Sequence, residues 1–540
     1  MDKVKLIANC EKIFPEKTPR YTIKHIKAAR NQVVSFQVAI KTRESFMKTR
    51  KVFIESDISD HIKIREVRQV PSLLAVYDEK KRDDYFLSVK SRLYPDALVK
   101  TDCEILCPPK KWVSLWITLK SEKGLPVGEH KIAITVEGEN SRKTVHLIIE
   151  IVEIELPKND LIITNWLHYD CICETYHVEP FDEKFYGIVK KHYISQVEHG
   201  CTMIYLPLFT PPLDTAIGRY RKTVQSVKVT LKGGKYSFDF TELKRLLELA
   251  KSVGYRYFEF SHLFTQWGAK CPPKIVAHTE NGEERIFGWE DDSLSEKFLG
   301  FLGDFLAALN IFVKENGIKD RCFIHLSDEP KEKDFGRYKI ISDFIKQKTD
   351  IKFMEAISDP LLFAENKVDM PCVSLDSYHK FDDLKGKIIY TCCEEYDRNL
   401  TNRFMCMPYN RTRVLGVQMY LAQVKGYLHW GYNFYHSELS YKTVNPYEIT
   451  DGCGGFPSGD AFIVYPDAER GEVVDSIRHE AFYDAIQDYN ALLLYESKFG
   501  RDKTVKLIND AGAEGFEKYP HNDRWLDELR ERIYDETIKI

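Results

Sequence analysis

The chain has 540 residues, of which 43% are hydrophobic and 13% aromatic, so it can bury several cores and does not resemble a disordered protein. Its 78 Lys and Arg residues against 82 Asp and Glu residues, without a long basic run, lack the charge pattern of a protein that binds nucleic acid or an anionic membrane. No apolar run reaches the roughly 20 residues of a membrane span, and the N-terminal segment lacks a signal-peptide core. We therefore expect a cytoplasmic protein with a small neutral or weakly charged ligand.

The thirteen cysteines are an odd number without regular spacing, so we expect reduced thiols rather than a disulfide framework. The segment HYDCIC at 168–173 offers several metal-binding residue types. It lacks the paired CxxC or HxxxH spacing of zinc sites, however. The sequence therefore predicts neither a metal nor another cofactor.

The first 156 residues read as β-strands, because apolar residues recur at every second position. The clearest strands are VVSFQVAIK (33–41), WVSLWITL (112–119), KIAITVEG (131–138) and KTVHLIIEIVEI (143–154). Strands with turn residues between them and no amphipathic helix favour an antiparallel β-sandwich over residues 1–156. The segment LPKND at 156–160 is the expected linker.

From residue 157 the pattern changes to short apolar runs that alternate with amphipathic helices, which indicates β/α units. The eight runs are LIITNWLHYD (161–170), TMIYLPLF (202–209), YRYFEFSHLF (255–264), CFIHLSDE (322–329), KFMEAIS (352–358), PCVSLDS (371–377), KIIYTCCE (387–394) and GYLHWGYNFY (426–435). Eight such units predict a (β/α)8 barrel over residues 157–540, with a helical segment at its C-terminal end.

Helix signals between the runs agree with this count. A helix over 295–313 is predicted by apolar residues at i, i+3, i+4 and i+7 spacing, with Ser293 and Glu296 as a capping box. Gly200, Gly254 and Gly317 each precede a predicted strand, where a helix needs a left-handed residue to end.

The chemistry of a (β/α)8 barrel lies at the carboxyl ends of its strands, and polar and aromatic side chains cluster at and around the ends of these runs. We predict as substrate-binding residues His168, Asp170, His262, Gln266, Trp267, Trp289, His325, Asp376, Trp430, Asn433 and Asp460. The tryptophans are candidates for stacking on the apolar face of a sugar ring.

The stretch CFIHLSDEPK at 322–331 places Asp328 and Glu329 side by side at the end of the fourth run. Pro330 is expected to hold Glu329 in an extended conformation, so that both carboxylates address the barrel mouth. Because the charge on one carboxylate opposes ionisation of the other, one acid can remain protonated near neutral pH. A carboxylic acid beside a carboxylate in an aromatic pocket predicts cleavage of a glycosidic bond.

Adjacent acids do not fit the ordinary mechanism, whose carboxyl groups face each other across the bond about 5 to 9 Å apart. They fit the substrate-assisted route, in which the 2-acetamido oxygen of the sugar attacks the anomeric carbon. If a separate nucleophile were needed, Asp376 and Glu394 would be the first candidates.

Other functions are compatible with the same residues. The chain could be a β-hexosaminidase or a glycosidase for a sugar without an acetamido group. It could also be a non-catalytic carbohydrate-binding protein on a barrel scaffold. A third alternative is metal-dependent hydrolysis through His262, His325 and Asp328.

Several long motifs, in one order, resemble the catalytic domain of glycoside hydrolase family 123 and relatives described as a domain of unknown function. They are NWLHYDC (165–171), PLFTPPLDT (207–215), HLFTQWGAKCPPKI (262–275), FGWE (287–290), HLSDEP (325–330) and FPSGDAFIVYP (456–466). The resemblance implies a β-sandwich followed by a (β/α)8 barrel, and a retaining exo-β-N-acetylgalactosaminidase that uses substrate assistance. By the same match, Asp328 would orient the acetamido group, and Glu329 would protonate the leaving oxygen and then activate water.

Overall fold

The computed structural model describes residues 2–77, 81–121, 123–266, 268–362, 368–381 and 386–539. Its first ten strands form two five-stranded sheets, with strand orders β1-β3-β8-β5-β6 and β2-β10-β9-β4-β7. The strands are β1 (Lys3–Ala8), β2 (His25–Ala29), β3 (Val34–Lys41), β4 (Lys48–Glu55), β5 (Ile62–Ser72), β6 (Arg92–Lys100), β7 (Glu104–Cys107), β8 (Trp112–Leu119), β9 (Gly128–Gly138) and β10 (Ser141–Val152).

The two sheets share one apolar core, because alternate residues of their strands point toward each other. Val38 and Ile117 of one sheet belong to the same buried cluster as Ile134 and Ile149 of the other. All strand pairs are antiparallel except β2 with β10, which is parallel. The predicted β-sandwich is confirmed, with this one parallel pair at its edge.

Eight parallel strands form the second sheet system, in the order β11-β22-β21-β20-β19-β18-β15-β12. They are β11 (Ile162–Asn165), β12 (Met203–Leu206), β15 (Tyr257–Phe260), β18 (Cys322–Ile324), β19 (Lys352–Ile357), β20 (Met370–Ser374), β21 (Ile388–Thr391) and β22 (Gly426–His429). The sheet is nearly closed, because Thr202 beside β12 donates its N–H to Ile163 O of β11 at 2.9 Å. Each predicted run overlaps one of these strands, and the (β/α)8 barrel is confirmed.

The remaining strands form two small sheets outside the barrel. β13 (Lys228–Lys232), β14 (Lys235–Asp239), β16 (Ile275–Thr279) and β17 (Gly282–Phe287) make a four-stranded sheet, and β23 (Tyr465–Asp467) pairs with β24 (Glu472–Val474). The helices are α1 (Tyr169–Tyr176), α2 (Glu183–Glu198), α3 (Thr241–Val253), α4 (Glu296–Glu315), α5 (Phe335–Lys348), α6 (Tyr409–Arg413), α7 (Leu415–Ala422), α8 (Ile477–Phe499), α9 (Arg501–Asp510) and α10 (Trp525–Ile538). No helix within the described residues is both long and apolar enough to cross a bilayer.

The predicted amphipathic face of α4 is buried as expected, but the capping box was wrong. Ser295 is the N-cap, and its hydroxyl accepts a hydrogen bond from the Phe298 N–H at 3.3 Å. The hydroxyl of Ser293 instead accepts a hydrogen bond from Arg337 at 2.8 Å. The three predicted glycines have φ angles of +93°, +111° and +63°, which confirms left-handed residues at the ends of their helices.

The sandwich and the barrel meet through buried ion pairs. Arg65 of β5 binds Asp475 at 2.9 Å and also Glu480 of α8, and Arg478 of α8 binds Asp96 of β6 at 2.9 Å. Buried charges are tolerated when they are paired in this way. The predicted boundary at residue 156 lies between β10 and β11.

Candidate active site

A cleft opens where the carboxyl ends of the barrel strands meet, and it encloses about 800 Å³ including its open mouth. This is the face on which (β/α)8 enzymes carry their catalytic residues. The cleft is lined by Trp166, His168, Leu213, Asp214, Arg221, Gln266, Asp328, Glu329, Ala356, Tyr390, Thr391, Cys392, Cys393, Leu428, Trp430, Phe434 and Phe456. Five of the residues predicted from the sequence are therefore together in one cleft: His168, Gln266, Asp328, Glu329 and Trp430.

Asp328 and Glu329 lie on a turn rather than on a strand. β18 ends at Ile324, and both acids are partly exposed on the cleft wall. Glu329 has a φ angle of +40°, so the predicted extended conformation before Pro330 was wrong. The chain must turn sharply to direct two successive side chains into one cleft, and a left-handed residue provides that turn at a cost of about 1 to 3 kcal/mol.

The surroundings of the two acids favour retention of a proton. Burial, the charge of Glu329 and the charge of Asp214 raise the pKa of Asp328 well above its usual range. Burial also raises the pKa of Glu329, although a hydrogen bond from Tyr390 opposes that rise. Because the charge on one carboxylate opposes ionisation of the other, the last proton leaves the pair less readily than it would leave an independent carboxyl group.

Hydrogen bonds to other parts of the barrel hold this turn in place. The Tyr390 hydroxyl of β21 donates to Oε1 of Glu329 at 2.5 Å. Glu355 of β19 accepts a hydrogen bond from the Leu326 N–H, and the Ser327 hydroxyl donates to the Thr265 carbonyl at 2.9 Å. The position of the acids is thus fixed by two other barrel strands and by the loop that follows β15.

His168 lines the opposite part of the cleft as a neutral ring. Its Nε2–H donates to the Trp430 carbonyl at 2.9 Å, and its Nδ1 accepts from the Arg221 guanidinium at 3.0 Å. The tautomer follows from these partners, since a guanidinium can only donate. Burial and the charge of Arg221 lower the pKa of His168 to about 3.

Asp170 and Asn433 act behind His168 and do not line the cleft. Asp170 binds Arg221 Nε at 2.7 Å, and Arg221 and His436 hold the pKa of the Asp170 carboxyl well below its usual range although burial opposes this. Asn433 accepts from the His168 N–H at 2.8 Å and donates to the His168 carbonyl at 3.1 Å. Both residues therefore position cleft residues.

Asp170 also belongs to a group that could offer metal ligands. Ligand atoms of Asp170, Cys171 and His436 lie within 4.8 Å of one another. The Arg221 guanidinium, however, contacts both carboxylate oxygens of Asp170. A permanent cation already neutralises this carboxylate, so the group fits an ion-pair network better than a metal site.

An aromatic wall borders the cleft at the end of β22. The ring of Trp430 lies 5.1 Å from Phe434 and 5.0 Å from Phe456, measured between ring centroids. Its indole N–H donates to Oδ2 of Asp460 at 3.0 Å, and burial raises the pKa of Asp460 to about 7. Asp460 thus orients Trp430 and does not itself line the cleft.

His262 and His325 lie one layer behind the cleft residue Trp166. Their rings stack with centroids 4.5 Å apart, and each meets Trp166 edge to face. Both are buried, with His325 bonded to Glu259 and His262 bonded to the Tyr205 hydroxyl at 3.0 Å. They support the barrel interior beneath the cleft.

Two further predicted residues, Trp289 and Asp376, do not line the cleft. The Trp289 indole donates to the Arg219 carbonyl at 2.8 Å in a neighbouring small pocket. Asp376 forms an ion pair with Arg398 at 2.6 Å. Trp267 lies outside the described residues. Glu394, the other alternative nucleophile, lies 3.4 Å from Lys81 and does not line the cleft.

Asp214, Arg221 and Tyr390 are among the polar cleft residues that were not predicted from the sequence. Asp214 and Arg221 belong to the long segment between β12 and β13, several residues beyond the strand end where candidates were sought. The motif PLFTPPLDT contains Asp214 and was a usable signal. Tyr390 was inside a predicted strand and was not singled out as a candidate.

The sandwich reaches the rim of the cleft. Tyr77, from the connection between β5 and β6, bonds to the Gly455 carbonyl and packs edge to face on Tyr396 at 6.2 Å. Leu87 of the same connection donates its N–H to the Cys406 carbonyl at 2.8 Å. The described part of this connection supports loops around the cleft, and the described lining residues all come from the barrel domain.

Comparison with known proteins agrees with this fold. A structure of a family 123 glycoside hydrolase from Clostridium perfringens, solved in work on glycolipid glycan hydrolysis, is 16% identical, covers 100% of this chain and 98% of its own, and has a TM-score of 0.78. An endo-β-1,4-mannanase from Thermotoga petrophila is 12% identical over 62% of this chain and 77% of its own, with a TM-score of 0.35. A Bacteroides uniformis β-glucuronidase is 11% identical over 86% of this chain and 48% of its own, with a TM-score of 0.31.

The last two scores are too low to support an argument, whereas the first shows the fold. Curated protein sequences gave no significant match. The family model described as "Glycoside hydrolase 123, catalytic domain" matches residues 166–495, which is more than half of the chain and includes every described residue that lines the cleft. The chain therefore belongs to glycoside hydrolase family 123.

Proposed function

We propose that this chain is a retaining exo-glycosidase that hydrolyses a terminal β-linked 2-acetamido sugar, with N-acetylgalactosamine preferred, through an oxazolinium intermediate. The observation that carries the proposal is the placement of Asp328 and Glu329 on one turn of the cleft wall. Adjacent acids approach a bound sugar from the same side. They therefore cannot act as the facing acid and nucleophile of the ordinary mechanism.

In the proposed mechanism the acetamido oxygen supplies the nucleophile. Asp328, when ionised, accepts the acetamido N–H and stabilises the positive charge that develops on the oxazolinium ring. Glu329, when protonated, donates its proton to the leaving oxygen and then removes a proton from the attacking water. Two displacements at the anomeric carbon give retained configuration.

The raised pKa values of the two acids fit these roles. The raised pKa values of Asp328 and Glu329 favour retention of a proton on the pair. A bound acetamido N–H donates to Asp328 and favours its ionised form, while the glycosidic oxygen favours a protonated Glu329. Substrate binding thus moves the proton to the carboxyl group that must transfer it.

The rest of the cleft fits a sugar. Trp430 offers a flat ring beside Phe434 and Phe456, and such a surface can stack on the apolar face of a pyranose. The preference for N-acetylgalactosamine rests on the family resemblance. The description of the Clostridium perfringens protein supports a glycan as the natural substrate.

A panel of aryl β-glycosides, each assayed with and without a chelator, tests this proposal. We expect turnover of 2-acetamido sugars, fastest for the N-acetylgalactosamine derivative, and no effect of the chelator. A faster reaction with the N-acetylglucosamine derivative or with a 2-hydroxy sugar would establish another specificity. Binding without turnover would make the chain a carbohydrate-binding protein, and loss of activity with the chelator would favour metal-dependent hydrolysis.

A further inference from the structure

Two polar atoms of the cleft wall, on two residues that bond to each other, are unpaired. They are Oδ2 of Asp214 and Nε2 of Gln266, and neither has a hydrogen-bond partner among the described residues. Both side chains line the cleft that contains Asp328 and Glu329. A buried polar atom without a partner costs about 1 to 3 kcal/mol, so its presence in a binding cleft points to a ligand.

The backbone holds Asp214 firmly. Its φ angle is +46°, its Oδ1 accepts from the Leu439 N–H at 3.3 Å, and its carbonyl accepts from the Ser440 hydroxyl at 2.6 Å. The Asp214 N–H donates to Oε1 of Gln266. Since a backbone N–H can only donate, this bond fixes the amide of Gln266 with its NH2 group on the other side.

The pair therefore presents one acceptor and one donor that do not bond to each other. A sugar hydroxyl donates one hydrogen bond and accepts two, so it can bridge such a pair. A hydroxyl group can pair with the carboxylate and the amide at the same time. A group that only accepts hydrogen bonds would leave the carboxylate unpaired, and an apolar group would leave both unpaired.

We propose that Asp214 and Gln266 form a clamp for one ring hydroxyl of the terminal sugar, which donates to Asp214 Oδ2 and accepts from Gln266 Nε2. The inference rests on the proposed function. It assigns Asp214 to substrate specificity, as distinct from the acid pair that carries the reaction.

Asp214→Asn is the sharpest test, because asparagine tolerates a left-handed backbone and its amide can turn a donor toward the cleft in place of the acceptor. The substrates are the preferred aryl 2-acetamido glycoside and its 3-deoxy, 4-deoxy and 6-deoxy analogues. Asp292→Asn is the matched control, since Asp292 is an exposed acid paired with Arg337 outside the cleft. Thermal unfolding of both variants checks that they fold.

We expect Asp214→Asn to lower kcat/KM about 10- to 100-fold on the parent substrate, and one deoxy analogue to lower the wild-type value by a similar factor. On that analogue, Asp214→Asn should lower kcat/KM little further, because the hydroxyl that Asp214 binds is already absent. On the other two analogues, the factor lost through the variant and the factor lost through the missing hydroxyl should multiply. Gln266→Glu keeps the acceptor for the Asp214 N–H but removes the donor. Its effect on kcat/KM should be smallest on the same deoxy analogue.

The clamp would be overturned if Asp214→Asn lowered kcat/KM by the same factor on the parent substrate and on all three deoxy analogues, or did not lower it at all. A loss of several orders of magnitude on every substrate would instead identify Asp214 as a nucleophile. Calorimetric titration of the free 2-acetamido sugar and its deoxy analogues gives the same comparison without turnover. If the wild-type protein binds but does not hydrolyse, the proposed function fails while the clamp is still tested by the coupling of Kd values.

Discussion

The hydroxyl of Tyr390, at the end of the seventh barrel strand, lies 2.5 Å from Oε1 of Glu329, which follows the fourth. A hydrogen bond that reaches across the barrel in this way fixes the direction of the carboxyl group on a left-handed turn. It also stabilises the ionised form of Glu329 and so opposes the rise in its pKa that burial causes.

Removal of this hydroxyl should therefore change the pH dependence of the reaction. In Tyr390→Phe the pKa of Glu329 rises, because the bond to its ionised form is lost. The basic limb of the kcat/KM profile, where the general acid loses its proton, should move to higher pH by about one to two pH units. A basic limb that stays in place or moves to lower pH would contradict the role of Glu329. Tyr236→Phe, outside the cleft, is the control.

The two acids should differ in their dependence on the leaving group. Glu329→Gln should lose several orders of magnitude on a poor leaving group but much less on a dinitrophenyl glycoside, which departs without a proton. Asp328→Asn should lose roughly 10²- to 10⁴-fold on both, because it removes stabilisation of the oxazolinium charge. Identical leaving-group dependence in the two variants would refute the division of roles.

Trp430 should contribute through its flat ring more than through its indole N–H. Trp430→Ala is expected to lower kcat/KM by a factor that corresponds to a loss of roughly 1 to 3 kcal/mol in transition-state binding. Trp430→Phe keeps a ring and loses only the bond to Asp460, so it should retain most of the activity. Equal losses in both variants would show that the hydrogen bond, and not stacking, matters. Steady-state kinetics on the preferred aryl glycoside make the comparison.

Glu480 should stabilise the contact between sandwich and barrel in a pH-dependent manner. Burial raises the pKa of Glu480, but the opposite effects of Arg65 and His199 are larger, and the resulting pKa is about 2. A lowered pKa gives stability that is present above the unfolded pKa of about 4.3 and is lost as the pH falls toward 2. Glu480→Gln should lower Tm at pH 7, and the difference from wild type should shrink below about pH 4. A difference that persists unchanged at pH 3 would rule out the ion pair as its source.

Much of the barrel could be predicted from the sequence, because each strand is a short apolar run and each run is followed by a loop or helix of different character. The apolar face of α4 was predicted in full, since a period of 3.6 residues leaves few alternatives. The predicted strand ends, however, lay too far toward the C-terminus. β18 ends at Ile324, and local propensity contains no signal for the turn that follows it.

The candidate site was harder to predict because its contacts are tertiary. His262 and His325 stand close to strand ends in the sequence, but in the fold they pack behind Trp166. Asp214 lies beyond its strand end and comes back to the cleft because Leu439, over two hundred residues later, binds its carboxylate. Pro330 favours an extended residue before it, yet the hydrogen bond from Tyr390 and the required turn outweigh that preference at Glu329.

Substrate assistance, the central claim, is tested most directly by kcat/KM for a series of aryl glycosides whose N-acetyl group carries zero, one, two or three fluorine atoms. Fluorine withdraws electrons from the acetamido oxygen and makes it a weaker nucleophile, while the leaving group and ring stay the same. If that oxygen attacks the anomeric carbon, log kcat/KM should fall steeply with each added fluorine, by several orders of magnitude over the series. A nearly constant kcat/KM would contradict the account and require a nucleophile from the protein.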